Sequence, residues 1–161
     1  RRRRLAALDC LELLGPSYTD PVVREFAVAR LGEVPDPDLD RVMLQLVQAL
    51  KYEPYVDSPL ARFLLRRALR RPALLGHRLY WLLAAEMHAP EVCVRFGVLL
   101  RTYLAHCGPH RRELRAQAAV NAALREVAEA AQKAPKAQRT AVARRMLRDL
   151  CNGGGGGAGG A

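Results

Sequence analysis

The sequence lacks the features that mark several common classes of protein. Aromatic residues make up only 6% of it, and no CxxC pair occurs among its four cysteines. No apolar run approaches the roughly 18 residues that span a bilayer, and the arginines at 1–4 are not followed by the apolar core of a signal peptide. These absences argue against an aromatic-rich β-sandwich, a disulfide scaffold and a membrane-spanning protein. We therefore expect a soluble, cytoplasmic chain with reduced thiols.

Motifs for phosphate binding, metal binding and catalysis are missing or incomplete. The glycine run at 153–157 is not followed by the Lys and Ser/Thr that a phosphate-binding loop needs. His106, Cys107 and His110 are close in sequence, but zinc sites usually need four ligands and no second pair is suitably spaced. His77 has neither a nucleophile nor an orienting group that the sequence can assign to it, and we interpret it as a packed or capping histidine. We expect no catalytic, cofactor or metal site in this chain.

The chain does contain a succession of amphipathic helix signals, punctuated by proline and glycine. Asp20 and Ser58 are N-cap residues followed directly by proline, which suits the first position of a helix. Gly32 is placed to end a helix in the left-handed conformation. Strand signals are essentially absent, so the pattern predicts an all-α fold. The predicted helices span about residues 5–14, 21–31, 36–51, 59–71, 73–88, 90–107, 109–134 and 136–150.

A weak internal repeat indicates how these helices pack. The segments PVVREF, PLARF and PEVCVRF share a Pro–apolar–Arg–Phe pattern, and their arginines are 38 and 33 residues apart. These arginines are Arg24, Arg62 and Arg95. A period of this size, with two helices per unit, is typical of HEAT and armadillo repeats. We predict stacked antiparallel helical hairpins that form a HEAT/armadillo-like superhelix.

The net charge of +10 is concentrated at the two ends of the sequence. Residues 1–4 supply four positive charges, residues 5–108 carry twelve basic and twelve acidic side chains, and residues 109–150 carry ten basic and four acidic ones. A nucleic-acid-binding domain would be expected to carry its positive charge on the folded body. With few aromatics for base stacking as well, an RNA-binding repeat is the weakest functional hypothesis, and we expect no nucleic-acid partner.

Two sets of arginines are candidates for an interaction surface. One set follows a four-residue spacing along a single helix face, and the other lies in the basic helix after residue 108. Arginine suits anion and carboxylate binding, although long arginine stems also cover apolar surface beside solvent. The sets support the hypothesis of a standalone HEAT-like adaptor that binds acidic peptides or anionic membrane. The candidate residues are Arg62, Arg66, Arg70, Arg111, Arg112 and Arg115.

Four longer segments together resemble one family. They are DPVVREFAV (20–28), LQLVQALKYEPYVDSPLARFLLRRAL (44–69), GHRLYWLL (76–83) and EMHAPEVCVRFGVLL (86–100). Each is similar to the helical accessory domain of the phosphoinositide 3-kinases, from about residue 11 to residue 108, with a weaker continuation to residue 150. The segment EMHAPEV with VRFGVLL resembles class I enzymes, and QKAPKAQ resembles a linker of the delta catalytic subunit, whereas HRLYWLL also resembles class II.

The resemblance implies a helical platform within an enzyme that phosphorylates the 3-position of inositol lipids with ATP and magnesium. The catalytic loop, the DFG segment and the phosphate-contacting lysine of such kinases have no counterpart in this sequence. We therefore expect a non-catalytic chain, with ATP and magnesium bound only by the kinase domain of the parent protein. The implied partners are the remaining domains of the parent kinase, a regulatory subunit and, indirectly, anionic membrane, with the cytoplasmic parent recruited to that membrane.

The same resemblance implies a division of the chain into four parts. Residues 1–4 are a basic stub that fits nothing in the family, and residues 5–108 are the later part of the accessory domain. Residues 109–150 are a basic helical linker toward a kinase domain that this sequence does not contain. Residues 151–161 are a Gly/Ala tail that we expect to be disordered, since such a run has high backbone entropy and no large apolar side chain.

Overall fold

The computed structural model describes residues 7–153, and within that range the chain is helical with no β-strand. The predicted all-α class is therefore confirmed. A 3₁₀ helix at Asp9–Leu14 comes first and another at Leu50–Tyr52 follows α3, while a π-helical turn at Pro72–Gly76 precedes α5. The α-helices are α1 (Pro21–Leu31), α2 (Asp36–Arg41), α3 (Met43–Ala49), α4 (Pro59–Arg70), α5 (His77–Ala85), α6 (Pro90–His106), α7 (His110–Lys133) and α8 (Arg139–Gly153).

The chain divides into two compact units, with the boundary between Arg111 and Arg112, inside α7. The first unit contains α1 to α6, and the second contains α8 and most of α7. Helix α8 extends to Gly153, beyond the predicted end near Leu150. The predicted basic stub at 1–4 and residues 154–161 of the predicted tail lie outside the described residues.

The predicted N-caps of α1 and α4 are confirmed. The Asp20 carboxylate accepts a hydrogen bond from the backbone N–H of Val22 at 2.8 Å, and the Ser58 hydroxyl oxygen accepts one from the N–H of Ala61 at 3.2 Å. Proline occupies the first helical position of both helices. Each cap satisfies a backbone donor that the helix itself leaves unpaired.

The prediction for Gly32 was wrong. Its φ of −59° lies in the right-handed helical region. The chain continues through another helical turn here, because the N–H of Val34 bonds the carbonyl of Leu31 at 3.1 Å. Among the described glycines, Gly108, after α6, is the one with a left-handed backbone, with φ at +57°.

The single helix predicted over 36–51 is interrupted. Val42, with φ −102° and ψ 7°, separates α2 from α3, and the last turn becomes 3₁₀. The apolar residues at spacings of three and four nevertheless face the core on both sides of the break, since Leu39, Met43 and Leu46 are fully buried. The break therefore changes the hydrogen bonding of the backbone but not which side chains face the core.

Two other predicted α-helices contain non-α helical turns. The first predicted helix is a 3₁₀ helix over its described part, and the helix predicted over 73–88 begins as a π-helical turn and ends at Ala85. That π-helical turn brings Gly76 against the hydroxyl of Tyr103, where an added Cβ would lie 1.9 Å from the oxygen. Gly76 is therefore required by close packing, not by an unusual φ, which is −68°.

The core of the first unit is rich in leucine and includes three aromatic side chains, Phe63, Phe96 and Tyr103. Tyr103 and Phe96 of α6 are fully buried, and α6 packs on α4 and α5. Helix α1 packs on α4 and on the 3₁₀ helix before it, and α3 packs on α5. Each fully buried leucine contributes about 1.5–3 kcal/mol. The more specific prediction, a HEAT/armadillo-like superhelix, stays a prediction.

Arg24 joins several of these elements through a buried guanidinium. It donates to the Glu53 carboxylate at 2.8 and 2.5 Å, and both side chains are only 3% exposed. It also donates to the carbonyls of Leu14, at 3.1 Å, and Tyr18, at 3.0 Å, and makes a longer contact of 3.4 Å with that of Ala49. One side chain of α1 thus connects the N-terminal segment with the C-terminal end of α3.

The three arginines of the internal repeat lie in different environments. Arg24 is buried, and Arg95 donates to the Leu50 carbonyl from a half-buried position. Arg62 is exposed and pairs with Asp57. The repeated sequence pattern therefore does not produce a repeated arginine contact.

Candidate interaction surface

Helix α4 has one apolar face and one basic face. Leu60, Phe63, Leu64 and Ala68 are buried, and they follow the three- and four-residue spacing of an amphipathic helix. The residues at the four-residue spacing, which are Arg62, Arg66 and Arg70, are all exposed. The structure therefore places these three predicted residues on the surface along a single helix, within reach of a partner.

Not all three arginines of this row are free to bind an anion, because Arg62 already has a carboxylate partner. Both ends of the Arg62 guanidinium bind Asp57, with Nε to Oδ1 at 2.6 Å and Nη2 to Oδ2 at 2.5 Å. The hydrogen bond from Arg62 lowers the pKa of Asp57, so the carboxylate stays charged at neutral pH. Among the described residues, by contrast, neither Arg66 nor Arg70 has a carboxylate within ion-pair distance.

Arg67, which lies beside this row and outside its four-residue spacing, has structural partners. Its guanidinium donates to Asp36 at 2.6 and 2.9 Å and to the carbonyl of Val34 at 2.7 Å. It also lies 5.7 Å from the ring centre of Phe63, which permits a cation–π contact. The sequence signal for this contact is its position four residues after Phe63, on the inward side of the arginine row.

An open groove lies beside these side chains. Its volume is about 430 Å³. Phe63 and Leu69 supply its apolar lining, Arg66 and Arg70 its unpaired cations, and Gly32 a wall without a side chain. Arg67, already held by Asp36, fixes the remaining side. The groove thus combines a preformed apolar surface with two arginines that have no internal counterion among the described residues.

The second predicted set of arginines lies on α7. All three are exposed, and no ion pair joins them to another described residue. Arg111 belongs to the first unit, and Arg112 and Arg115 belong to the second. The structure thus brings Arg62, Arg66 and Arg70 onto one face of α4, and it supplies no evidence that joins them to the α7 set.

The histidines near the end of α6 have local hydrogen-bonding partners. The ring Nδ1 of buried His110 lies 2.9 Å from the Tyr103 hydroxyl, and Nδ1 of His106 lies 2.9 Å from the carbonyl of Thr102. Burial raises the pKa of Tyr103, which keeps its hydroxyl protonated. Within residues 7–153 the structure contains no group of three or more side chains arranged to hold a metal ion.

His77 and Glu86 also have structural partners. The indole N–H of Trp81 donates to Nε2 of His77 at 3.2 Å, which agrees with its interpretation as a packed histidine. Glu86 accepts hydrogen bonds from Gln48 at 2.8 Å and Lys51 at 3.0 Å. These contacts join α3, with its 3₁₀ extension, to the turn after α5.

The four cysteines form no disulfide, and their environments differ. Cys10 and Cys107 are buried, whereas Cys151 is exposed. Burial raises the pKa of both buried thiols, which lowers their reactivity. Along the described part of the chain, no helix is both long enough and apolar enough to cross a bilayer.

Comparison with known proteins assigns the family. The model of the phosphoinositide 3-kinase family, accessory domain (PIK domain), matches residues 3–116. Phosphatidylinositol 3-kinase 1 of Dictyostelium discoideum is 45% identical over 125 residues, which cover 78% of this chain and 8% of that relative. Phosphatidylinositol 3-kinase 2 of the same organism is 41% identical over 124 residues, which cover 77% of this chain and 7% of that relative. This chain therefore belongs to the accessory-domain (PIK domain) family of the phosphoinositide 3-kinases.

Proposed function

We propose that this chain is the helical platform of a phosphoinositide 3-kinase whose complete protein phosphorylates the 3-position of phosphatidylinositol lipids with ATP. The observation that carries the proposal is the accessory-domain match over residues 3–116, supported by 45% identity to a phosphatidylinositol 3-kinase. The segments EMHAPEV and QKAPKAQ support a finer assignment to class I, with a delta-like linker.

In this proposal the chain is a rigid scaffold, and the kinase domain of the parent protein carries out the phosphoryl transfer. ATP and Mg²⁺ bind the kinase domain of the parent, and the helical platform holds the other modules in place. The buried contacts of Arg24 and the close packing of Gly76 against Tyr103 support a rigid role, because both restrict movement between helices. We propose that the chain itself has no catalytic residues.

The partners follow from the same proposal. The platform contacts the remaining domains of the parent kinase and a regulatory subunit, and it meets anionic membrane only indirectly. The parent is cytoplasmic and is recruited to the membrane, where its lipid substrate lies. No nucleic acid takes part.

A lipid kinase assay on the full-length protein tests this function. Purified protein is incubated with ATP, Mg²⁺ and phosphatidylinositol or its 4- and 4,5-phosphates, and the position of the new phosphate is determined chromatographically. We expect 3-phosphorylated lipid from the full-length protein and none from the 161-residue chain alone. Absence of 3-phosphorylated product from the full-length protein would refute the parent activity, and product from the chain alone would refute the platform role.

The second candidate function is an adaptor that binds acidic peptides or anionic membrane. The exposed arginines of α7, Arg111, Arg112 and Arg115, favour it. Its test is co-sedimentation with phosphatidylserine vesicles at increasing salt, since exposed charges are screened over about 8 Å at physiological ionic strength. Salt-sensitive binding that is lost when the three arginines become glutamine supports the adaptor function, and binding that is absent or insensitive to salt excludes it.

A further inference from the structure

The groove beside α4 carries an inference that goes beyond the proposed platform role and does not depend on the kinase activity. Phe63, Arg66, Arg67 and Arg70 follow a spacing of three and four residues, so they share one side of the helix. Together with Leu69 and Gly32 they line a space of about 430 Å³. That volume lies within the range of about 300–1,000 Å³ that is typical of binding pockets.

The charges around the groove are distributed unevenly. Arg67 is neutralised by Asp36, at 2.6 Å, and Arg71 lies 3.4 Å from the other oxygen of the same carboxylate. Two guanidiniums therefore remain without a carboxylate among the described residues, those of Arg66 and Arg70. They are one helical turn apart, so their Cβ atoms are about 5–6 Å from each other.

This arrangement favours a discrete acidic segment over an anionic membrane. Two carboxylates one turn apart on a partner helix match the spacing of Arg66 and Arg70, and an apolar side chain between them matches Leu69, which is half-buried. A membrane would present dense negative charge to the whole face. At one end of the arginine row Asp57 neutralises Arg62, so only Arg66 and Arg70 of the row remain to attract such a surface.

We propose that the groove binds an acidic amphipathic helix of a partner protein. The carboxylates of that helix form charge-assisted hydrogen bonds with Arg66 and Arg70, and its apolar side chain packs on Leu69, beside the small exposed edge of Phe63. Arg67 holds the groove open as a preformed wall, because its contacts with Asp36 and Val34 fix its position before binding.

The test uses the full-length protein and a labelled synthetic helical peptide, with fluorescence anisotropy as the readout. The peptide carries leucine at positions i and i+4 and glutamate at i+3 and i+7, and its matched control carries glutamine in place of glutamate. The protein variant is Arg66→Gln with Arg70→Gln. The control variant, Arg101→Gln with Arg125→Gln, loses the same charge at exposed positions outside the groove.

We expect the groove variant to bind the peptide about tenfold more weakly than the unsubstituted protein, because it loses two exposed ion pairs with the peptide. The control variant should bind normally, and the glutamine peptide should bind about tenfold more weakly to the unsubstituted protein. Both variants replace exposed side chains, so unchanged helical circular dichroism checks their folding. Equal weakening in both variants, equal affinity for both peptides, or binding to phosphatidylserine vesicles but not to the peptide would overturn the proposal.

Discussion

Replacing Arg24 should destabilise the first unit more than any replacement of an exposed arginine. In Arg24→Met the Glu53 carboxylate, 3% exposed, loses the cation that now lies 2.5 Å away. The carbonyls of Leu14 and Tyr18 lose their donor as well. Breaking a buried ion pair from one side costs about 3–5 kcal/mol. That loss is a large fraction of the roughly 5–15 kcal/mol that stabilises a typical domain.

Three further variants separate the effect of the Arg24 charge on stability from the effect of its hydrogen bonds and packing. Arg24→Lys keeps the charge but cannot reach the same set of acceptors, so we expect a loss of about 1–3 kcal/mol. In Arg24→Met with Glu53→Leu no buried charge is left alone, so the double variant should be more stable than Arg24→Met. Arg62→Met is the matched control, because it removes an exposed ion pair that is worth about 1 kcal/mol or less.

Urea denaturation followed by circular dichroism measures these differences. The free energies of unfolding of these four variants, of the single variant Glu53→Leu and of the unsubstituted protein are compared at one pH and one salt concentration, with the slope on urea checked for each. A loss below about 1 kcal/mol for Arg24→Met would refute the role given to the buried pair. So would a double variant whose loss equals the sum of the two single losses, because the pair would then have no coupling.

Three smaller predictions follow from other contacts. Gly76→Ala places a Cβ 1.9 Å from the Tyr103 hydroxyl oxygen, so the melting temperature should fall with a loss of about 1–3 kcal/mol. Ser58→Ala removes the N-cap of α4 and should cost about 1 kcal/mol in urea denaturation. Hydrogen bonds, first from Gln48 and then from Lys51, lower the pKa of Glu86 in the folded state. The ionised Glu86 therefore stabilises the fold above its unfolded pKa, and this stabilisation is lost as the pH falls through the lower folded pKa. Glu86→Gln should therefore flatten the dependence of stability on pH below about pH 5, and an unchanged pH profile would contradict this.

The sequence predicts the local features of the fold well because they depend on neighbouring residues. Asp20 and Ser58 act through backbone groups two or three residues away, and proline at the next position fixes the helix start. The buried stripe from Leu39 to Leu46 likewise follows from periodicity alone. Gly32 shows the limit of this reasoning. Its backbone conformation depends on the turn that connects α1 with α2, and not on the residue type alone.

The candidate site was only partly predictable for a different reason. The exposed row on α4 follows from spacing, but which arginines are available depends on carboxylates far away in the sequence. Arg67 pairs with Asp36, 31 residues earlier, and Arg24 pairs with Glu53, 29 residues later. Nothing in the composition selects these two acidic residues, because the choice depends on how α4 meets the start of α2 and how α1 meets the segment after α3. The similarity of the three repeat arginines was misleading for the same reason.

The carbonyl groups at the end of α3 have a further consequence. Arg24 approaches Ala49 from 25 residues earlier in the chain, and Arg95 donates to Leu50 from 45 residues later. Neither α1 nor α6 can detach without leaving one of these buried acceptors with a weaker partner. Opening of α1, α3 and α6 should therefore be coupled. In native-state hydrogen exchange, the amide protons of α3 should exchange only through unfolding of the whole first unit, in parallel with those of α6.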